Sequence, residues 1–125
     1  MKNVAYIVGR YCNQNELFAI YLSDRTNLVV YQKQLQNLAH IISNKINSTQ
    51  LLILFDWLRN DINSLYSELQ NLNKYKNKNI FYCIFDFEQK SFDIKEILYC
   101  GVHGVFFFLY FLDFLVIVLN VSLQE

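Results

Sequence analysis

The chain contains no proline, and its only glycines are Gly9, Gly101 and Gly104. A proline-rich linker or extended recognition arm is therefore excluded. Gly101-x-x-Gly104 precedes a strand-like run and has no following lysine, so it is not a phosphate-cradling loop. Cys12, Cys83 and Cys100 are odd in number and widely spaced, with no C-x-x-C pair. That pattern argues against a disulfide framework and for small buried hydrophobes in a reducing compartment. The first eight residues carry one lysine and too short an apolar run for a signal peptide. The expected location is the cytoplasm.

Charge of either sign is not in excess. Lys plus Arg and Asp plus Glu both number 11, for a net charge of zero. No overall field draws the chain to nucleic acid or to an anionic membrane surface. His40 and His103 have no partner at metal-ligand spacing, so neither a metal nor a cofactor is expected.

What is present is apolar surface. Of the 125 residues, 54% are hydrophobic and 17% aromatic. This composition supports one domain over 1–125 with its own core. No repeat, low-complexity tract or linker interrupts it.

The run Leu51-Leu52-Ile53-Leu54-Phe55 ends at Asp56. An unbroken apolar run reads as a strand buried on both faces, as parallel sheets require. Asp56 then lies at the carboxyl end of a central strand, where open α/β sheets carry their chemistry. Val4–Val8, 27–31, Ile80–Phe85 and 105–108 read as four further strands. Helices are predicted between them. The first is capped by Asn13 or Asn15, and Leu17, Ile20, Tyr21 and Asp24 follow its helical spacing. The second is carried by Leu35, Leu38, Ile42 and Ile46. The third is carried by Ile62, Leu65, Tyr66, Leu69 and Leu72, and ends in the polar connection 73–79. A short helix follows over 92–99, with Ile94, Ile97 and Leu98 inward. The last spans 111–123. Five βα repeats predict a flavodoxin-like (CheY-like) α/β fold. Its parallel sheet has order 2-1-3-4-5 and helices on both faces.

In this order the chain resembles the receiver domains of bacterial response regulators. The specific likeness is to the atypical receivers of LuxR-type transcription regulators, the CsgD and VpsT branch. Three passages carry it: Leu52-Ile53-Leu54-Phe55-Asp56-Trp57, Asn79-Ile80-Phe81-Tyr82-Cys83-Ile84-Phe85-Asp86, and Gly101-Val102-His103-Gly104-Val105-Phe106-Phe107. The resemblance implies that Asp56 is the phosphoacceptor position. It also implies an acidic Mg²⁺-binding pair after strand one, where Gly9-Arg10-Tyr11 stands. A hydroxyl residue belongs after strand four, where Phe85-Asp86-Phe87 stands. A lysine belongs near Phe108. Asn60 and Ser64 replace the proline and glycine often found beyond the acceptor.

With one of these parts left, the expected function is non-catalytic. It is a regulatory module of a LuxR-type regulator that acts by dimerisation and not by phosphorylation. Arg10 is expected to pair with Asp56 as a built-in cation, with Asp86 beside them in the switch region. The last helix has surplus apolar residues, and Phe111, Phe114, Leu115 and Val118 are its candidate dimer face. LuxR-type regulators continue into a helix-turn-helix domain, and none is expected within 1–125. The chain is thus expected to be an excised or truncated domain that does not itself contact nucleic acid.

Two alternatives stand beside this reading. One is a phosphorylatable receiver with Asp56 as acceptor. The other is a small protein anchored in a membrane through 104–121, which is long and apolar enough to be considered. Asp113 in its middle costs about 2.5–3.5 kcal/mol on insertion. Weaker acid/base candidates, Asp86 with Glu88 and Asp56 with Asp61, read as solvated loops. Ser64 and Ser67 have no neighbouring base.

Overall fold

A computed structural model describes residues 3–45, 50–73, 80–87 and 94–106. Within them the chain runs β1 (Val4–Val8), α1 (Asn13–Arg25), β2 (Val29–Lys33), a 3₁₀ turn (Leu35–Asn37) and α2 (Leu38–Lys45). It continues as β3 (Leu51–Asp56), α3 (Ile62–Leu72), β4 (Ile80–Phe85), α4 (Ile94–Tyr99) and β5 (Gly104–Val105). All pairings are parallel and the order is β2-β1-β3-β4-β5. This is the flavodoxin-like α/β arrangement read from the sequence.

The pleat explains why the central runs are apolar without a break. Alternate residues Tyr6, Val8, Ile53, Phe55, Tyr82 and Ile84 face Leu38, Ile42, Leu65, Leu69 and Ile97 of α2, α3 and α4. Their neighbours Ala5, Ile7, Leu52, Leu54, Cys83 and Phe85 pack with Phe18 and Leu22 of α1. Helices thus cover both faces, and both must be dry. β3 is the hub, paired with β1 on one side and β4 on the other, and every residue in it is buried.

Several boundaries and faces differ from the sequence reading. α1 begins at Asn13, with Cys12 in the cap position and no side-chain cap. It buries Asn15, Phe18 and Leu22, while Leu17 and Ile20 stay exposed. Its apolar residues fit two stripes almost equally well. The stripe that places Phe18 against the Phe85 ring, 5.1 Å away, is the one buried. β2 starts at Val29, where the register with Val4 begins, and extends to Lys33. Leu98 is exposed on α4, and Ile97 takes the inward position. β5 starts one residue early, at Gly104, and the ladder continues as Phe106 N–H donates to Ile84 O at 2.8 Å.

Among the described residues no helix is long and apolar enough to cross a membrane. The proposed anchor 104–121 lies beyond the described residues after its first three. The candidate dimer-face residues Phe111, Phe114, Leu115 and Val118 also lie outside the described residues, as do Ile46 and Glu88.

The core thiols set an alkaline limit on stability. Cys83 and Cys100 are free and buried. Burial pushes the Cys83 thiol up from 9.0 to about 12. Burial raises the Cys100 thiol too, with Glu96 adding to it and a bond from Tyr66 opposing it. A raised thiol adds stability in full below its unfolded value, and that stability is lost as pH climbs toward the folded value. Cys83 alone is expected to cost about 1.4 kcal/mol between pH 7 and 10. Urea unfolding of wild type and Cys83→Ala across that window reads this slope. It should flatten in the variant, and equal slopes would remove the explanation.

Candidate functional site

The carboxyl edge of the sheet gathers the residues of interest. Gly9 and Arg10 follow β1, Gln34 follows β2, Asp56 to Asn60 follow β3 and Asp86 follows β4. Asp56 is the last residue of β3 and is 0% exposed. A carboxylate taken fully out of water must be hydrogen-bonded to stay ionised. Its Oδ1 accepts from Leu58 N–H at 3.0 Å, closing the turn that follows the strand. Its Oδ2 accepts from Asn15 Nδ2 at 2.7 Å. Arg59 Nε stands 4.0 Å from that same Oδ2.

The surrounding loops are tied to this centre. Asn60 Nδ2 donates to Val8 O at 2.9 Å and to Asp56 O at 2.8 Å, joining the ends of β1 and β3. Arg10 N–H donates to Arg59 O at 3.0 Å. Trp57 N–H donates to Phe85 O at 3.1 Å, and its ring lies 4.6 Å from that of Phe87. Gly9, the first residue after β1, is buried at this edge. A Cβ there would sit 3.2 Å from both Asp56 Cβ and Arg59 Cβ, tighter than ordinary contact, so a side chain at this exit would require its neighbours to give by a few tenths of an ångström.

The expected Arg10–Asp56 pair is not formed. Arg10 is exposed and lines an open cleft, and Arg59 supplies the guanidinium beside Asp56. The cause is local. The Leu58 turn folds the chain back on itself, so the residue three after Asp56 returns to its carboxylate. Arg10 is fixed through its backbone alone. Asp86, one residue past the Phe85 partner of Asp56, is half-buried with φ of 54°. Aspartate adopts that left-handed conformation more readily than most residues.

Asn15 was the residue missed. A polar side chain at a core-facing position, in line with Phe18 and Leu22, was its only signal. Its Nδ2 is spent on Asp56, and its Oδ1 is buried without a partner. Arg59 also reaches across to α1, donating from Nη2 to Gln14 Oε1 at 3.2 Å.

Asp61 and His103 have structural roles. Asp61 caps α3, accepting from Ser64 N–H at 3.0 Å and Ser64 Oγ at 2.9 Å. His103 Nδ1 accepts from Tyr82 N–H at 3.2 Å, and its ring stacks on Phe81 at 4.2 Å. Among the described residues no cluster of three His, Cys, Asp or Glu is arranged to hold a metal ion.

Beside Asp56 the cleft has a volume of about 610 Å³. It is lined from the β1 exit by Gly9 and Arg10, from the β2 exit by Gln34 to Gln36, and from α3 by Asn63, Ser64, Ser67 and Glu68. Arg59 and Asn60 form the wall between this cleft and the buried carboxylate.

No protein-family model matches the chain, and no curated protein is significantly similar to it.

Proposed function

We propose that this chain is a receiver-like regulatory module that works without phosphorylation, as part of a LuxR-type transcription regulator controlled by association of two copies. The observation that carries this reading is the closed carboxylate of Asp56. Attack on a phosphodonor needs an exposed carboxylate oxygen in line with phosphorus, with a cation to neutralise charge between them. Asp56 is 0% exposed, and Asn15, Leu58 N–H and Arg59 occupy both its oxygens. Gly9 and Arg10 stand where the resemblance calls for an acidic pair. Arg59 supplies from within the fold the positive charge that a metal would bring, so the loop rests in one state.

Incubation with acetyl phosphate and Mg²⁺, followed by intact-mass measurement, tests this. The expected spectrum is that of the unmodified chain under conditions that label a competent receiver. A stoichiometric phosphoryl adduct on Asp56 would restore the phosphorylatable alternative. For association, sedimentation at tens of micromolar is expected to show a dimer. A folded monomer there removes that half of the reading.

A further inference from the structure

The geometry points to a binding site for a sugar phosphate in the cleft at the carboxyl ends of β1, β2 and β3. The position is the topological switch point of the sheet. β1 leads away through α1 on one face, and β3 leads away through α3 on the other, so their exit loops diverge and leave a crevice. Its volume, about 610 Å³, falls within the rough 300–1,000 Å³ span of small-molecule sites.

The lining selects the ligand. Arg10 lines the cleft and, among the described residues, its side chain has neither ion pair nor hydrogen bond. An unpaired guanidinium at a strand exit suits a phosphoryl group, which it grips with two parallel N–H donors. Across the cleft, α3 contributes Asn63 and Ser67, one turn apart, and Glu68 beside Ser67. A carboxamide, a hydroxyl and a carboxylate are the groups that hydrogen-bond vicinal hydroxyls. Asp61, the other acid in the lining, is engaged as the α3 cap and does not compete for Arg10. Among the described residues no aromatic side chain lines the cleft, so a nucleobase has no stacking platform there. Phosphate at Arg10 and hydroxyls toward Glu68 place opposite chemistries at opposite walls. Arg59 lines the cleft and also stands against Asp56, so the occupant's charge is felt at the buried carboxylate. The site stands on the cleft alone and does not need the receiver reading.

Calorimetric titration of the full chain with ribose 5-phosphate and glucose 6-phosphate tests the site, with ribose, glucose and inorganic phosphate as controls. At least one sugar phosphate is expected to saturate with Kd below about 1 mM, tenfold or more tighter than its two halves. Arg10→Ala should weaken binding at least tenfold with the unfolding midpoint unchanged. Ser67→Phe, which fills the cleft from an exposed helix position, should abolish binding. Glu68→Gln should lose the advantage over inorganic phosphate. Failure of both sugar phosphates to saturate overturns the site. So does inorganic phosphate binding as tightly as either, or wild-type affinity in both Arg10→Ala and Ser67→Phe.

Discussion

Replacing Phe55 by alanine is expected to lower the unfolding free energy by about 3–5 kcal/mol. Phe55 is 0% exposed in the central strand and packs among residues of the α2–α4 face. Removing the ring forfeits its transfer free energy and leaves a cavity that β1 and β4, paired on either side, prevent from collapsing. Domains of this size have roughly 5–15 kcal/mol in all, so the variant sits near the edge of folding. Phe81 gives the contrast. It belongs to the same sheet but is 37% exposed, and its ring stacks on that of His103. Phe81→Ala is expected to cost about 1 kcal/mol, the worth of one aromatic pair. Denaturant midpoints of the two variants decide the matter. Similar losses would contradict the assignment of Phe55 to the core.

The second large effect belongs to Asn15→Asp. It swaps the Nδ2 donor, 2.7 Å from Asp56 Oδ2, for a second carboxylate oxygen. Two unit charges about 4 Å apart repel by roughly 4 kcal/mol at the effective dielectric of protein sites. An acid in the first turn of α1 gains only about 0.3–1 kcal/mol from the helix dipole. Repulsion therefore wins, with an expected loss of about 3–4 kcal/mol at pH 7.5. The pair relieves itself by taking up a proton, which rebuilds an O–H···O⁻ bond. The folded variant then binds more protons than the unfolded chain near neutrality, so its stability rises as pH falls. Urea unfolding at pH 7.5 and pH 5 should show this recovery in Asn15→Asp and not in wild type. Asn15→Leu is the control. It loses the bond without adding a charge, so its loss at pH 7.5 should be smaller than that of Asn15→Asp. Wild-type stability of Asn15→Asp at pH 7.5 would mean that Asn15 does not hold Asp56.

How much of this was legible beforehand can be judged residue by residue. Leu51 to Phe55 was readable because a strand buried on both faces needs apolar side chains throughout, and that demand leaves a contiguous mark. The α3 stripe of Leu65, Leu69 and Leu72 was readable because its one apolar face is unambiguous. α1 was misread because it is weakly amphipathic, with Leu17 and Ile20 competing against Phe18 and Leu22. No local rule ranks those two stripes. Only the sheet that the helix lands on does.

The same division separates Asp56 from its partners. Its place at a strand exit followed from the order of apolar and polar residues along the chain. Its partners followed from spatial packing. Asn15 is 41 positions away in sequence and meets the carboxylate only because α1 crosses back over the sheet. Arg59 displaces Arg10 because a tight turn brings back the nearer of two guanidiniums, and nothing in composition distinguishes them. Periodicity is a local property, so it is written in the chain. Which polar groups share a buried pocket depends on how distant segments cross, and that is known only once the layers have closed.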